Sequence, residues 1–388
     1  MKRIVSNEMV TVTTILGLGV LSMSILRPML PLYLTSIGVA PEILGLMFSV
    51  TMVGMVIGES SAGWVADKVG LKIPLSMGTF ATAIVVFFFV LTQNIPTIFL
   101  IFFLWGFTRS ALFGPGRGYI GTIAPPLKKA TFMAIIAAMM AASRSIGALP
   151  GGFVVDNWGY HWVFFISSGV ALMAGFVVLT SLRKARSVKP EPLAVTSLTT
   201  DEISSPSRAH WYHPLTFQCA VAFFNFLGRG AVMTFLPLLA TQVVGVAATE
   251  VGILFTIGGL GSLVLTIPMG MLADRKGKRT FMILGLLVSA VAMAGMAFTE
   301  SFPWLIVFVI ISSLGMAMFS PAALGLLSTS IPLQRQSTAM GVYGGVCENT
   351  GIIAGASLGG FIWSAWGPQA TFLMGTVAAS LGAAICFS

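Results

Sequence analysis

Twelve apolar stretches make up nearly all of this chain, and each is long enough to cross a bilayer as a helix of about 20 residues. Backbone N–H and C=O groups find no water in the hydrocarbon core, so only helices and closed barrels cross it. The stretches lack apolar–polar alternation of period two, which selects helices. Spans are expected at 9–36, 42–66, 72–92, 96–124, 130–154, 160–183, 214–243, 249–273, 280–298, 303–331, 336–364 and 368–388. With 56% hydrophobic residues and 9% charged, the chain carries an apolar load that no soluble globular domain needs. The expected fold class is an all-α membrane protein of twelve transmembrane helices.

The loops between the spans alternate in character. Lys68 and Lys72, Lys128 and Lys129, Arg183 to Lys189, Arg275 to Arg279, and Arg335 lie in one set. The other set, around Pro41, Asn94, Asp156, Ala247, Glu300 and Pro368, has no Lys or Arg. Basic loops stay on the cytoplasmic side. Both termini and the longest loop are therefore expected in the cytoplasm, with the protein integral to the inner or plasma membrane. Met1-Lys2-Arg3 and its apolar sequel read as the first span, because the stretch is too long for a signal peptide and lacks a small-x-small cleavage site. The formal charge of +9 is dispersed over alternate loops, so no nucleic-acid partner is expected. Cys219, Cys347 and Cys386 all lie in apolar runs, which predicts neither a disulfide framework nor a metal-spaced pair. No phosphate-binding glycine loop, Ser-His-Asp set or zinc motif occurs, and His210 and His213 form an isolated pair. The chain is expected to be no enzyme and to hold no cofactor or metal.

A ten-residue polar segment is written twice. Gly63-Trp64-Val65-Ala66-Asp67-Lys68-Val69-Gly70-Leu71-Lys72 returns 207 residues later as Gly270-Met271-Leu272-Ala273-Asp274-Arg275-Lys276-Gly277-Lys278-Arg279. Pro31 answers to Pro237, Phe113-Gly114-Pro115 to Phe319-Ser320-Pro321, and Gly151-Gly152-Phe153 to Gly359-Gly360-Phe361, at offsets of 206 to 208. An even number of helices was thus copied in parallel. The halves are 1–183 and 213–388, joined by a Pro- and Ser/Thr-bearing linker at 184–212. In the same register Arg183 maps three residues past Ser388, which predicts a short basic tail beyond this sequence. The pattern Gly-x-x-x-Asp-[Lys/Arg]-x-Gly-x-[Lys/Arg] resembles the loop signature of the major facilitator superfamily of secondary transporters. That resemblance implies two pseudo-symmetric six-helix bundles around a central cavity, alternating access, and drive from a proton or counter-solute gradient. It also makes Gly63, Asp67, Lys68, Gly70, Gly270, Asp274, Arg275 and Gly277 a cytoplasmic gating latch. Each Asp is placed to accept from the positive end of a facing helix. Gly147, Gly151 and Gly152 of span 5, and the Gly351-Gly355-Gly359-Gly360 stripe of span 11, partly resemble the span-5 signature of drug antiporters. They equally suit plain close packing. A monomer acting on a small-molecule substrate is expected.

Charges inside the spans carry the information about cargo. Arg27, Arg109, Arg117, Arg144 and Arg229 face only Glu59 and Glu348. Unpaired charges in a bilayer usually line a cavity. Glu59 and Arg117 each lie about 12 Å from the basic end of their helices, at 1.5 Å per residue, and are expected to pair. Arg109 resembles the span-4 arginine that the family links to proton coupling. Arg27, Arg144, Arg229 and Glu348 fall in the middle third of spans 1, 5, 7 and 11, and Asn225 shares a face of span 7 with Gln218 and Arg229. One Glu cannot neutralise several arginines, so the cavity is expected to be positive and to favour anionic or partly anionic solutes. The alternative is that some of these arginines snorkel or bind backbone carbonyls. Glu348 is either the protonatable coupling group or a fixed partner of Arg144 or Arg229, and Glu59 and Arg109 are the other coupling candidates. The expected activity is proton-coupled efflux of amphipathic or anionic compounds. The alternative is uptake or exchange of an organic anion. A membrane-embedded enzyme would need a catalytic cluster, and none is visible.

Overall fold

The computed structural model describes the backbone of residues 2–70, 72–123, 129–181, 212–331 and 336–387. Side chains are described outside 1–10, 60, 63, 67, 71, 113–137, 182–214, 332–338 and 388. The described backbone is helical throughout, in the order the apolar runs require. Among the described residues eleven helices are long and apolar enough to cross a membrane. The expected twelfth, span 11, is built from Gln336–Val342, a π turn at Tyr343–Glu348, and Asn349–Trp366. Span 1 is also composite, with helices Lys2–Leu26 and Met29–Ser36 meeting at Arg27-Pro28. Pro28 has no N–H to donate and its ring crowds the preceding turn, which explains the break.

The duplication extends to backbone torsions. The positive-φ residues of the described chain are all glycines, and they come in repeat-related pairs: Gly38 with Gly245, Gly70 with Gly277, and Gly159 with Gly367. Each turns the chain between two spans where an L-residue would be strained. Packing obeys the same symmetry. Span 2 packs on span 4, span 3 on span 6, and span 1 on spans 5 and 6; span 8 on 10, span 9 on 12, and span 7 on 11 and 12 repeat the pattern. Glycines allow the backbones to approach. Gly151 lies against the Ile25 carbonyl of span 1, and Gly355 against that of Leu227 in span 7. Three of the four glycines in the span-11 stripe are therefore used inside the second bundle, Gly351 and Gly355 on span 7 and Gly359 beside Phe235. Gly360 instead meets Pro41 and Glu42 of the first half.

One expectation is corrected. Cys219 of span 7 and Cys347 of span 11 form a disulfide, with Cα atoms 5.3 Å apart. Apolar surroundings said nothing against pairing once two helices packed this closely, and Cys347 lies in the π turn that shifts the register of span 11. Cys386 is free and buried.

Candidate functional site: a seam between the halves and a charged centre

Helix packing joins the two halves through spans 5 and 8, spans 2 and 11, and, near Arg27, spans 1 and 7. The first two contacts form a layered seam, and each layer is present twice. Outermost, Asp156 at the end of span 5 meets the N-terminus of span 8. Its Oδ1 accepts from the Ala248 N–H at 3.1 Å, and its Oδ2 accepts from the Thr249 N–H at 2.7 Å and the Thr249 hydroxyl at 2.5 Å. On the other side, Glu42 at the start of span 2 accepts from the Ser364 hydroxyl at the end of span 11. Asp156 and Ser364 are repeat mates 208 residues apart, and Glu42 and Thr249 are mates 207 apart. The duplication preserved the contact and exchanged which partner carries the acid.

One turn further in, Gly252 lies on the Ala148 carbonyl and Gly45 on the Ala356 carbonyl, again as repeat images. The next layer is hydroxylic. Thr256 Oγ1 donates to the Ser145 carbonyl at 2.8 Å, and its mate Ser49 donates to the Ile353 carbonyl at 3.0 Å. Ser49 also shares a hydrogen bond with Ser357 Oγ at 2.6 Å. All these layers fall in the half of each span away from the basic loops.

Below them the symmetry breaks. Arg27 reaches across to Met233, its own repeat mate, with Nη2 3.5 Å from the sulfur. A guanidinium thus sits near the pseudo-twofold axis, with a thioether in the equivalent place. Arg27 is within electrostatic reach of Arg229 and Arg144, and Arg229 of Arg144 and Glu348. The four residues expected mid-span come together, contributed by spans 1, 5, 7 and 11. Asn225 does not join them. It is 3% exposed, and its amide nitrogen faces Met316 inside the second bundle. Gln218 likewise turns inward, its amide bridging Ala323 O and Leu327 N of span 10. Polarity along span 7 therefore serves packing at two of its three positions.

Arg109 lies in the first bundle and is also within electrostatic reach of Arg27. It is 4% exposed, with Nη2 3.3 Å from Met55 Sδ and its guanidinium 4.8 Å from the Trp105 ring. Arg109 Nε and Trp105 Nε1 have no hydrogen-bond partner among the described residues. Glu59 is within electrostatic reach of Arg109. The side chain of Arg117 lies outside the described residues, and so does the expected Glu59–Arg117 pair.

The duplicated loops are seen most fully in the second copy. Asp274 is exposed and lies 3.7 Å from Lys278 of its own loop, and among the described residues it bonds to no facing helix. Arg275 is exposed, Gly277 supplies the turn, and Gly270 lies beside Pro321 of span 10. In the first copy Gly70 makes the same turn and Lys68 stacks over Trp64, whereas the surroundings of Gly63 and the Asp67 side chain fall outside what is described. The last basic position of each loop has a role that sequence reasoning missed. Lys72 donates to the Leu179 carbonyl at 2.8 Å, and its mate Arg279 donates to the Cys386 carbonyl at 2.7 Å. Each ties its loop to the last described turns of the last span of its half. Asp156, Glu42 and their hydroxyl partners were also missed. The available signal was that the residues 207 or 208 positions away from each acid are both hydroxyl-bearing.

Residues 12–217 and 218–388 each match the Major Facilitator Superfamily, and the chain belongs to that family. It is a secondary transporter, integral to a membrane and acting on a small-molecule substrate. Among curated relatives it is 27% identical over 292 residues to Multidrug resistance protein MdtG of Citrobacter koseri, covering 72% of this chain and 70% of that protein. It is 26% identical over 293 residues to the protein of the same name from Escherichia coli, covering 72% and 69%. Among solved structures, it resembles a bacterial homologue of the human lysosomal transporter Spinster in an inward-facing, unoccupied conformation. The TM-score is 0.84 at 14% identity, over 100% of this chain and 97% of the other. The nucleoside transporter NupG (D323A mutant) gives a TM-score of 0.75 at 15% identity, over 98% of each chain.

Proposed function

We propose that this protein is a proton-driven exporter of amphipathic, anionic or partly anionic compounds, with its basic loops in the cytoplasm and its cargo site at the Arg27–Arg144–Arg229–Glu348 group. The observation that carries this reading is the convergence of three guanidiniums and one carboxylate between halves that are otherwise symmetric. Cations are expensive to hold in a bilayer, and they persist there when an anionic partner or a solvated pathway compensates them. Arginine presents a planar fork of donors that matches a carboxylate or a phosphate. Met233 beside Arg27 adds a soft apolar surface suited to the rest of an amphipathic molecule. Export is supported by the multidrug-resistance relatives. Glu348, within reach of Arg229, is the proposed proton carrier. Glu59 and Arg109, within electrostatic reach of each other in the first bundle, are the other coupling candidates.

Uptake or exchange of an organic anion is the second reading, supported by the same arginines. Transport in proteoliposomes under an imposed pH gradient separates the two. A panel of carboxylates, phosphate esters and lipophilic cations is presented, for the native chain and for Arg27→Met, which copies the repeat mate. The expected result is anion movement against the gradient in the export direction, with a tenfold or greater rise in KM for anions in the variant. Preferential transport of cations that is unaffected by Arg27→Met would refute the positive-site argument.

A further inference from the structure

The seam assigns to two acids a task that neither the loop motifs nor the charged centre performs. We propose that Asp156 and Glu42 are paired clasps of the external gate, and that Asp156 is the stronger and sets the closed-outside conformation as the resting one. The proposal rests on the alternating-access and topology readings given above.

Both acids stand at the outermost layer of the interface between halves, each bonded to a residue of the opposite half, so outward opening must break both contacts. Their loops contain no Lys or Arg, so the acids are held by hydroxyls and by helix-end amides, with no cation in those loops to trap them. The two clasps are repeat images with exchanged roles, which makes them equivalent in position and unequal in strength. Asp156 accepts three hydrogen bonds, two of them from the first amides of span 8, where the orphan N–H groups and the helix dipole favour negative charge. Glu42 receives one hydrogen bond from the opposite half, from Ser364.

A clasp of this kind differs from a simple helix cap in one respect: its loss must be felt at the other clasp. Hydrogen–deuterium exchange on the intact protein in nanodiscs, without substrate, tests this for Asp156→Ala, Glu42→Gln and the double variant. For Asp156→Ala, faster exchange is expected in residues 41–49 and 353–364, which do not touch Asp156, together with slower exchange at the basic-loop ends as that side closes. The population shift should be of order tenfold for Asp156→Ala, smaller for Glu42→Gln, and largest for the double variant. Faster exchange confined to 247–252 would reduce Asp156 to a local cap and overturn the proposal, as would an equal or larger effect of Glu42→Gln. Thr249→Ala, which removes one donor and keeps the acid, should give an intermediate shift and guards against a misfolded Asp156 variant. Because no cargo is present, a wrong substrate assignment leaves this test untouched.

Discussion

Gly252→Ala should let a transporter that, on the proposed topology, rests closed at the Asp156–Glu42 face sample the state open on that face. A Cβ on Gly252 would lie 2.6 Å from the Ala148 carbonyl oxygen and 2.9 Å from Leu149 Cα. Unstrained contacts to carbon lie at about 3.5–4.0 Å. Both crowded atoms are backbone of span 5, in the other half, so no rotamer change relieves them. The external ends of spans 5 and 8 must separate by about 1 Å. Overpacking of this kind destabilises by about 1–3 kcal/mol. Only the closed-outside state bears that penalty, so at about 1.4 kcal/mol per factor of ten the open-to-closed ratio rises by about 5- to 150-fold. The gain in helix propensity from Gly to Ala, up to about 1 kcal/mol, applies to both states and cancels. Gly351→Ala is the matched control. Its Cβ would meet Phe223 O at 2.6 Å and Phe226 Cβ at 2.9 Å, within one bundle, so it should reduce thermal stability and leave the ratio alone. Pulsed electron resonance between spin labels at Asn94 and Glu300, exposed sites on the external loops of opposite halves, reads the ratio as the weight of the longer distance. A folded Gly252→Ala protein with the native distance distribution, or one matched by Gly351→Ala, would show that the glycine layer is packing without a gating role.

Two further outcomes follow from named contacts. Glu348→Gln should abolish pH-driven transport while preserving exchange of labelled substrate across the membrane, measured in the same vesicles with and without a gradient; intact pH drive would exclude Glu348 as the proton carrier. Arg279→Met removes the donor to the Cys386 and Phe387 carbonyls of span 12 and should lower the melting temperature by about 1–3 °C in scanning fluorimetry. Lys276→Met, in the same loop, should not change it.

The fold was legible because lipid restricts the choice of structure. Runs of apolar residues can only be helices there, and the polar turns between them had to contain Gly70, Gly277 and their equivalents. The duplication made each assignment count twice. Contacts that depend on helix rotation were less legible. Asn225 and Gln218 share a face with Arg229 at helical spacing, yet that face divides between the centre and span 10, which the hydropathy of one helix does not reveal. The disulfide was hidden for a similar reason: Cys219 and Cys347 are 128 residues apart, and their meeting depends on a π turn that leaves no simple mark in sequence. Asp156 and Glu42 looked like ordinary loop acids because the partners that give them a role are 92 or more residues away.

The functional residues proposed for this protein relate to the repeat in three ways. Parts that must work alike in both halves are copied: the turns, the glycine layer, the Ser49 and Thr256 hydroxyls, and the basic residues Lys72 and Arg279. The external clasps are copied in position with the acid moved to the other partner, which keeps the contact and makes its two sides unequal. The charged centre is not copied at all, since Arg27 faces Met233 and neither Arg144 nor Arg229 has a basic mate. The halves are a parallel repeat about the membrane normal, which lets them rock against each other and does not make the two open states equivalent. Preference for one state is therefore set by contacts confined to one face, and both clasps lie on the same one. Preference of cargo rests on the asymmetric centre. Exchanging the two clasps whole, with Asp156→Ser and Ser364→Asp joined to Glu42→Thr and Thr249→Glu, should therefore keep this face closed at rest and move the stronger clasp to spans 2 and 11, leaving substrate selectivity unchanged.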